Sequence, residues 1–226
     1  FYTYISSMHY MMEAAAENNI DFIVLDRPNP NIAYVDGPVL DLKFQSFVGM
    51  HEIPVLHGMT VAELAKMIKG EGWINKASSL NLTVVPVAHY RRDMTYSLPV
   101  QPSPNLPNDQ SIGYSPIALG EFSFTPRAIE GASMNPKFKG IEVQGLDLRD
   151  STIKGLDLSL FITAYKTFTQ NEQTFFERAG FMDKLAGTDK LRLAIEAGQT
   201  EQQIKQSWQQ DLARFKQQRA AYLLYQ

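Results

Sequence analysis

The sequence predicts an α/β layered fold, and two observations support that prediction. The first third of the 226-residue chain alternates helical and strand patterns in the order helix, strand, strand, helix, strand, which is typical of a sheet with helices packed against it. Further along, two short strand patterns are followed by four helical patterns. The second half is therefore predicted to form a smaller, helix-rich α+β unit.

The spacing of apolar residues defines the elements of the first third. Residues 3–18 carry apolar side chains at helical spacing, and the β-branched run over 20–26 is typical of a parallel strand buried on both faces. Residues 26–50 are rich in Pro, Gly, Asn and Asp and are predicted to be mostly loop. The remaining patterns are a strand at 53–58, a helix at 60–72 with Gly70 as its C-terminal stop, and a strand at 80–87.

The second half follows a long, proline-rich loop over 88–118, and a loop of that length is usually functional or disordered. Its predicted elements are strands at 120–126 and 140–148 and helices at 157–169, 171–180, 186–197 and 201–218. Thr200 and Gln203 form a capping box at the start of the last helix. Trp208 shares one face of that helix with other apolar residues, so core packing explains it better than ligand binding.

Composition argues against several classes of function. The net charge of −3 and the lack of a Lys/Arg block argue against nucleic acid as a partner. The chain has no cysteine and no run of about 18 apolar residues, which excludes thiol chemistry and a membrane-spanning helix. Dinucleotide and Walker phosphate loops, the G-x-S-x-G elbow and the spacings of metal-binding histidines are also missing. We therefore expect no cofactor and no metal.

Three polar segments follow the predicted strands, at the edge where open α/β sheets bind ligands. They are DRPNPN from residue 26, HGMT from residue 57 and HYRRD from residue 89. Once nucleotide, metal, thiol and serine-hydrolase sites are excluded, chemistry that uses carboxylates remains. Glycoside hydrolysis is one such reaction, because it uses a pair of carboxyl groups, or one carboxyl group assisted by the substrate. The carboxylates that the strand ends offer are Asp26, Asp36, Glu52, Glu63 and Asp93.

The first two segments each have a structural and a functional interpretation. The prolines of DRPNPN make the turn rigid, so that it can present Asp26, Arg27 and Asn29 to a ligand. Alternatively, Asp26 and Arg27 pair with each other or cap a neighbouring element. Thr60 and Glu63 have the spacing of a capping box, which explains Glu63 better than a role as catalytic acid or base.

The other polar residues near the strand ends also have two interpretations, and for the two arginines the solvated one is the commoner case. His57 either contacts a ligand or is satisfied by a backbone carbonyl. Arg91 and Arg92 either bind a carboxylate or form a solvated surface pair. Asn105, in the segment PSPNLPN, is a further candidate for binding a sugar.

Long stretches of the chain resemble the DUF1343 family, whose characterised members are exo-β-N-acetylmuramidases of the NamZ type. The segments that carry the resemblance are FIVLDRPNPN, YVDGPVLD, FVGMHEIPVLHGMTVAELAKMI, LPVQPSPNLPN and YLLY. The resemblance runs from residue 1 to the C-terminus, and GEFSFTP, KLAGTDKLR and SWQQDL are most similar to members from Bacteroidetes-type bacteria.

The resemblance implies a Rossmann-like domain over residues 1–118 and a smaller α+β domain over 119–226, with the active site between them. It also implies a hydrolase that releases N-acetylmuramic acid from the non-reducing ends of peptidoglycan fragments, in the periplasm or outside the cell. The residues that would line the sugar site are Asp26, Arg27, Asn29, His57, Arg91 and Asn105. Glu63 is the candidate catalytic residue, and an arginine such as Arg27, Arg91 or Arg92 would bind the lactyl carboxylate of muramic acid.

The chain departs from the family pattern at two places. Family members carry a sizeable part before FYTYISSM, with a Pro-Glu-His-Gly segment whose Glu is a leading catalytic candidate, and further Gly-Thr motifs after the PSPN segment. We therefore expect a break or a direct crossing near Leu119–Gly120, and an incomplete catalytic pair if the chain begins at Phe1. The alternative function is a non-catalytic domain that binds peptidoglycan glycans.

Overall fold

The structure, a computed structural model, describes residues 3–94, 122–130, 133–145 and 153–226. Residues 3–94 and 154–226 belong to one compact unit, and the described residues from 122 to 153 belong to a second. Asn105, most of the loop over 88–118 and the expected break at Leu119–Gly120 lie outside the described residues. The domain boundary between residues 118 and 119 stays a prediction.

Seven α-helices lie in the described residues, all of them in the first unit. They are α1 Tyr4–Glu17, α2 Val61–Gly70, α3 Ser159–Gln170, α4 Ala179–Ala186, α5 Lys190–Glu196, α6 Glu201–Ser207 and α7 Gln209–Arg219. Short 3₁₀ turns are found at Leu42–Phe44, Ala77–Ser79 and Ala220–Tyr222. In this part of the chain no helix combines the length and the hydrophobicity that a membrane span requires.

The strands of the described residues pair into three two-stranded sheets. The pairs are β1 Phe22–Leu25 with β4 Leu82–Val85, which are parallel, and two antiparallel pairs, β2 Asp36–Val39 with β3 Pro54–Leu56 and β5 Phe122–Phe124 with β6 Val143–Gly145. The parallel pair aligns Leu25 with Val85, so the segments that follow both strands emerge at the same edge. The predicted α/β class and the predicted parallel pairing of β1 are thereby confirmed.

The hairpin of β2 and β3 corrects two predictions. β2 lies inside the segment that was predicted to be mostly loop, and β3 pairs with it instead of joining the parallel sheet. HGMT therefore does not follow a strand of the parallel sheet, although DRPNPN and HYRRD do. Gly37 and Pro38 make β2 resemble a turn in sequence, and the pairing with β3 is irregular at these residues.

The prediction that β1 is buried on both faces is wrong. Val24 belongs to the hydrophobic core, whereas Ile23 and Leu25 are 61% and 69% exposed. Within the described residues, α2 contacts both strands of the parallel pair. The side chains that point away from this core are apolar and exposed, as Val85 of β4 also shows.

Two predicted C-terminal helices also differ from the structure. Residues 171–178 are not helical, because Phe175 and Phe176 turn back to pack on Phe161 of α3. The helix predicted over 201–218 is broken into α6 and α7 at Trp208. At the end of α2, Gly70 is the last helical residue, and Gly72 takes the left-handed conformation.

The described residues of the first unit contain two large hydrophobic cores and a small cluster of Ile32, Tyr90 and Tyr225. The first packs α1 and α2 on the parallel strands, with Met12, Leu64 and Ile68 almost completely buried. The second core includes Trp208 and Leu212, which confirms the prediction that Trp208 is a core residue. The first core places the N-terminus of α2 beside the carboxyl end of β1, where the polar segments meet.

Candidate functional site

Asp26 caps the first turn of α2 from the carboxyl end of β1. Its Oδ1 accepts a hydrogen bond from the backbone N–H of Ala62 at 2.9 Å. Its Oδ2 accepts from the hydroxyl groups of Thr60 at 2.7 Å and Tyr225 at 2.6 Å. A carboxylate is favoured here because the helix dipole is positive at its N-terminus. The structure therefore shows the alternative in which Asp26 caps a neighbouring element, and a direct contact of Asp26 with substrate stays a prediction.

Thr60 and Glu63 form the predicted capping box. The N–H of Thr60 donates to Oε2 of Glu63 at 2.9 Å, and the N–H of Glu63 donates to Oγ1 of Thr60 at 3.3 Å. Glu63 is fully buried, and its Oε1 accepts from Nη1 of Arg92 and the N–H of Leu224, both at 2.8 Å. Such partners are needed because an unpaired buried charge is strongly destabilising. The cap is confirmed, and the catalytic role of Glu63 stays a prediction.

Two arginines converge on the carbonyl oxygen of Gly58. Arg92 donates to it through Nη2 and Arg219 through Nη1, the latter at 2.6 Å. Gly58 has a φ of 58°, and a Cβ added there would lie 2.6 Å from the carbonyl oxygen of Tyr34 and 2.7 Å from Nη1 of Arg219. Both the backbone conformation and the close contacts therefore require glycine at this position.

Asn29 joins the DRPNPN turn to the HGMT segment. Its Nδ2 donates to the carbonyl oxygen of Met59 at 2.9 Å, and its Oδ1 accepts from the N–H of Asn31 at 2.9 Å, which closes an Asx turn. The backbone carbonyl of Asn29 accepts from the hydroxyl group of Tyr90 at 3.3 Å. These contacts account for the rigidity that the sequence predicts, while a contact between Asn29 and a sugar stays a prediction.

The C-terminal residues complete this network, although no pattern in the sequence assigned them a role. Besides donating to Asp26, the hydroxyl group of Tyr225 accepts from the N–H of Val87 at 2.8 Å. Burial and the hydrogen bond to Asp26 raise the pKa of Tyr225 well above its usual value. The carbonyl oxygen of Gln226 accepts from the N–H of Arg92 at 3.1 Å. The one signal in the sequence was the YLLY stretch that carries part of the family resemblance.

The arginines of the candidate site have three different environments. Arg27 is exposed, and its guanidinium group has no partner among the described residues. Arg91 is exposed and pairs with Asp93 at 3.0 Å, and its hydrogen bond lowers the pKa of Asp93. Arg92 is partly buried and pairs with Glu63. Arg91 therefore matches the solvated interpretation, and Arg27 is the arginine left free to bind an anion.

His57 lies partly buried in the turn between β3 and α2. Its Nδ1 accepts from the N–H of Met59 at 3.1 Å, so a backbone N–H satisfies this ring nitrogen where a carbonyl was the alternative in the sequence. Burial and, to a lesser degree, the charge of Arg219 lower the pKa of His57 to about 4. Its Nε2 has no partner among the described residues.

The other candidate carboxylates do not join this network. Asp36 accepts from Nε1 of Trp208 and from the N–H of Leu156, both at 3.2 Å, and ties β2 to the C-terminal helices. Glu52 and Asp93 are exposed. Within the described ranges no three His, Asp or Glu side chains converge as metal ligands would.

The arrangement separates structural groups from groups that can meet a ligand. Asp26, Glu63, Arg92 and Arg219 form a network of two carboxylates and two guanidinium groups, whose bonds hold the three polar segments together. Among the described residues of the three polar segments, the guanidinium group of Arg27 and the Nε2 of His57 have no partner, and within the network the buried Nε of Arg219 has none either. A guanidinium group suits an anionic group of a ligand, and a ring N–H suits an uncharged oxygen atom.

Comparisons with known proteins agree on one family. The model described as the N-terminal part of exo-β-N-acetylmuramidase NamZ matches residues 1–110, and the model of its C-terminal part matches residues 108–225. The peptidoglycan β-N-acetylmuramidase NamZ of Bacillus subtilis (strain 168) is 33% identical over 272 aligned residues, which take in all of this chain and 64% of the relative. The chain thus spans less than two thirds of the length of that relative.

Two solved structures are also similar, both of DUF1343 family proteins from Bacteroides fragilis NCTC 9343. The first has a TM-score of 0.86 and 39% identity, and the match covers all of this chain and 72% of the other. The second has a TM-score of 0.78 over 99% of this chain and 71% of the other, and at 24% identity it supports the fold alone. The chain therefore belongs to the exo-β-N-acetylmuramidase NamZ family, as the resemblance predicted.

Proposed function

We propose that the protein is a peptidoglycan glycosidase that releases N-acetylmuramic acid from the non-reducing ends of glycan fragments. Membership of the NamZ family supports this function, and the relative from Bacillus subtilis is named as a peptidoglycan β-N-acetylmuramidase. The substrates are muramic-acid saccharides from the cell wall. Because its proposed substrate is wall material, the protein acts in the periplasm or outside the cell, which fractionation of cells that express it tests.

One observation carries the proposal. Asn29 and Asp26 bind the HGMT segment directly, which joins two of the family-like segments. Arg27 in the first segment and His57 in the second each offer a polar group that has no partner among the described residues. The lactyl carboxylate distinguishes muramic acid from other amino sugars of the wall, and a free guanidinium group is suited to bind it. Arg27 is therefore assigned to this carboxylate.

The activity is tested with the full chain on a chromogenic β-N-acetylmuramide, with the matching β-N-acetylglucosaminide as control substrate. Release from the muramide and slower release from the glucosaminide are expected. If the folded protein releases neither sugar, the proposed function fails. Glu63→Gln in the same assay addresses catalysis, since loss of an acid or base costs about 10²–10⁴-fold in rate.

Arg27→Ala should weaken binding of the muramide more than any other exposed substitution in the site. Loss of a charged hydrogen bond to the lactyl carboxylate should raise KM by about 10- to 100-fold. The matched control is Arg91→Ala, because Arg91 is also exposed but already pairs with Asp93. Equal effects of the two substitutions would contradict the assignment of Arg27.

A second candidate function is a non-catalytic domain that binds the same glycans. The observation that favours it is that both oxygen atoms of Asp26 and of Glu63 are engaged by protein donors. Calorimetry with muramic-acid fragments separates the two functions, since a binding domain gives heat without any release of sugar. No heat at millimolar ligand would count against both.

A further inference from the structure

The backbone holds the ring of His57 in one tautomer. The N–H of Met59 donates to Nδ1 at 3.1 Å, and a donor N–H can meet only a ring nitrogen that carries a lone pair. The proton of the neutral ring therefore lies on Nε2. Gly58, between the two residues, maintains this turn, because its φ of 58° and its close contacts exclude a side chain.

Charged groups from three directions surround this turn. Arg219 of α7 donates to the carbonyl oxygen of His57 at 3.2 Å, and Arg92, after β4, donates to the next carbonyl oxygen. From α2, the carboxylate of Glu63 is already bound to Arg92. Burial and Arg219 lower the pKa of His57 to about 4. The ring is therefore neutral in the folded protein at any pH above roughly 5.

The Nε2–H group is left as a donor without an acceptor among the described residues. A partly buried donor that bonds nothing costs free energy unless water or a ligand provides an oxygen atom. The two arginines that bond the carbonyl oxygens of this turn, Arg92 and Arg219, are themselves donors and cannot accept its proton. The Nε2–H group of His57 can therefore donate a hydrogen bond to a ligand. The ring does not gain or lose a proton near neutral pH, as a general acid or base must.

We propose that His57 is a specificity residue, which donates one hydrogen bond from Nε2 to an uncharged carbonyl or hydroxyl oxygen of the bound sugar and transfers no proton. This inference rests on the proposed function for the identity of the ligand. The proposal gives the two residues different roles: Arg27 binds the anionic group of the sugar, and His57 binds an uncharged oxygen atom. A protonated His57 would lose its bond from Met59, so the same contact that fixes the tautomer opposes proton transfer.

The state of the ring is tested without any substrate. Nitrogen-15 spectra of the histidine rings of the full chain are recorded from pH 4 to 8, and His57 is assigned by its loss in His57→Gln. A neutral ring with its proton on Nε2 is expected down to about pH 5. A protonated ring at pH 6, or a proton on Nδ1, would overturn the proposal.

The role in binding is tested by kinetics on the chromogenic muramide. His57→Phe removes the donor, whereas His57→Gln keeps an N–H donor, and His89→Asn is a matched control because His89 is exposed with a φ of 60° that asparagine tolerates. His57→Phe should raise KM about 3- to 10-fold, with kcat and its pH profile nearly unchanged and partial recovery in the glutamine variant. An unchanged KM, or a kcat lowered about 100-fold with the loss of one limb of the pH profile, would overturn the proposal.

A titration with sugar distinguishes failure of the proposed glycosidase function from failure of the role assigned to His57. If the wild type releases no sugar, the Nε2–H resonance is followed during titration with N-acetylmuramic acid. A shift of this resonance in the wild type, unchanged in His89→Asn, is expected from the donor role. If the resonance stays fixed at millimolar sugar, the role assigned to His57 is wrong, whichever function the protein has.

Discussion

The described part of the chain contains two capping boxes that have the same geometry and different surroundings. At α2, the N–H of Thr60 meets Glu63 at 2.9 Å, and at α6, the N–H of Thr200 meets Gln203 at 2.8 Å. The first box is buried and carries a charge, whereas the second is exposed and neutral. The same four-residue motif can therefore cap a helix in the protein interior or at the surface.

The difference shows what burial adds to a helix cap. Gln203 satisfies only the first turn of its own helix, whereas the second oxygen of Glu63 is bound by Arg92 and Leu224. A buried carboxylate must be compensated by such partners, and at Glu63 the partners come from the loop after β4 and from the C-terminal residues. The buried cap consequently connects distant parts of the chain, while the exposed cap stabilises one helix.

The largest expected contrast between the boxes is in stability. Glu63→Ala leaves Arg92 as an uncompensated, partly buried charge and should lower the free energy of unfolding by about 3–5 kcal/mol. Gln203→Ala should cost no more than about 1 kcal/mol, as for an ordinary exposed cap. Urea unfolding of both variants measures the contrast. Similar losses in the two variants would show that the buried network adds nothing to the cap.

Acidification is expected to destabilise the buried box more than the exposed one, by a smaller amount than Glu63→Ala. The reason is that a histidine, His57, lies beside the buried box only. The folded pKa of His57, about 4, is below the ordinary 6.5, so the unfolded state binds the extra proton between these values. The stabilisation from His57 is therefore complete above pH 6.5 and is lost as the pH falls towards 4. By linkage, a shift from 6.5 to about 4 corresponds to a loss of up to about 3 kcal/mol.

Amide hydrogen exchange in the first turns of α2 and α6 measures this effect locally. Protection should fall more in α2 than in α6 between pH 6.5 and 4, after correction for the intrinsic exchange rate. In His57→Gln the difference should shrink, because glutamine does not titrate. His51, whose pKa is also lowered to about 4, remains in both proteins and cancels in the comparison. Equal losses in wild type and variant would contradict the assignment.

The smallest expected effect comes from giving the exposed box the chemistry of the buried one. Gln203→Glu places a negative charge in the first turn of α6, where the helix dipole favours it by about 0.3–0.5 kcal/mol. Added salt should remove the gain, because an exposed charge is screened. Thermal unfolding at low and high salt checks both statements. A gain that persists at high salt would mean that the second box is less exposed than its structure shows.

Features that depend on neighbouring residues could be predicted from the sequence. Both capping boxes follow from a spacing of three residues, and α1 follows from its apolar periodicity. The rigid turn at Asn29 follows from its prolines and from the tendency of asparagine to form Asx turns. These predictions were confirmed because they depend only on contacts between residues that are close together in the sequence.

Features that depend on distant residues could not be predicted. Leu224 lies 161 positions from Glu63, and Trp208 lies 172 positions from Asp36, so no local pattern links them. β2 was missed because Gly37 and Pro38 are typical of turns and the strand exists only through its pairing with β3. The capping role of Asp26 was left open in the sequence, since its partner Ala62 belongs to another element.

The close contacts of Gly58 have a consequence for large-scale mutagenesis. In a saturation screen scored by enzyme turnover, every substitution at this position would be depleted, because any Cβ displaces either Arg219 or the backbone of Tyr34. The position would rank with catalytic residues although it has no side chain to contribute. A parallel screen scored by protein abundance would place Gly58 among the sites that fail in folding, whereas substitutions of Arg27 would leave abundance unchanged.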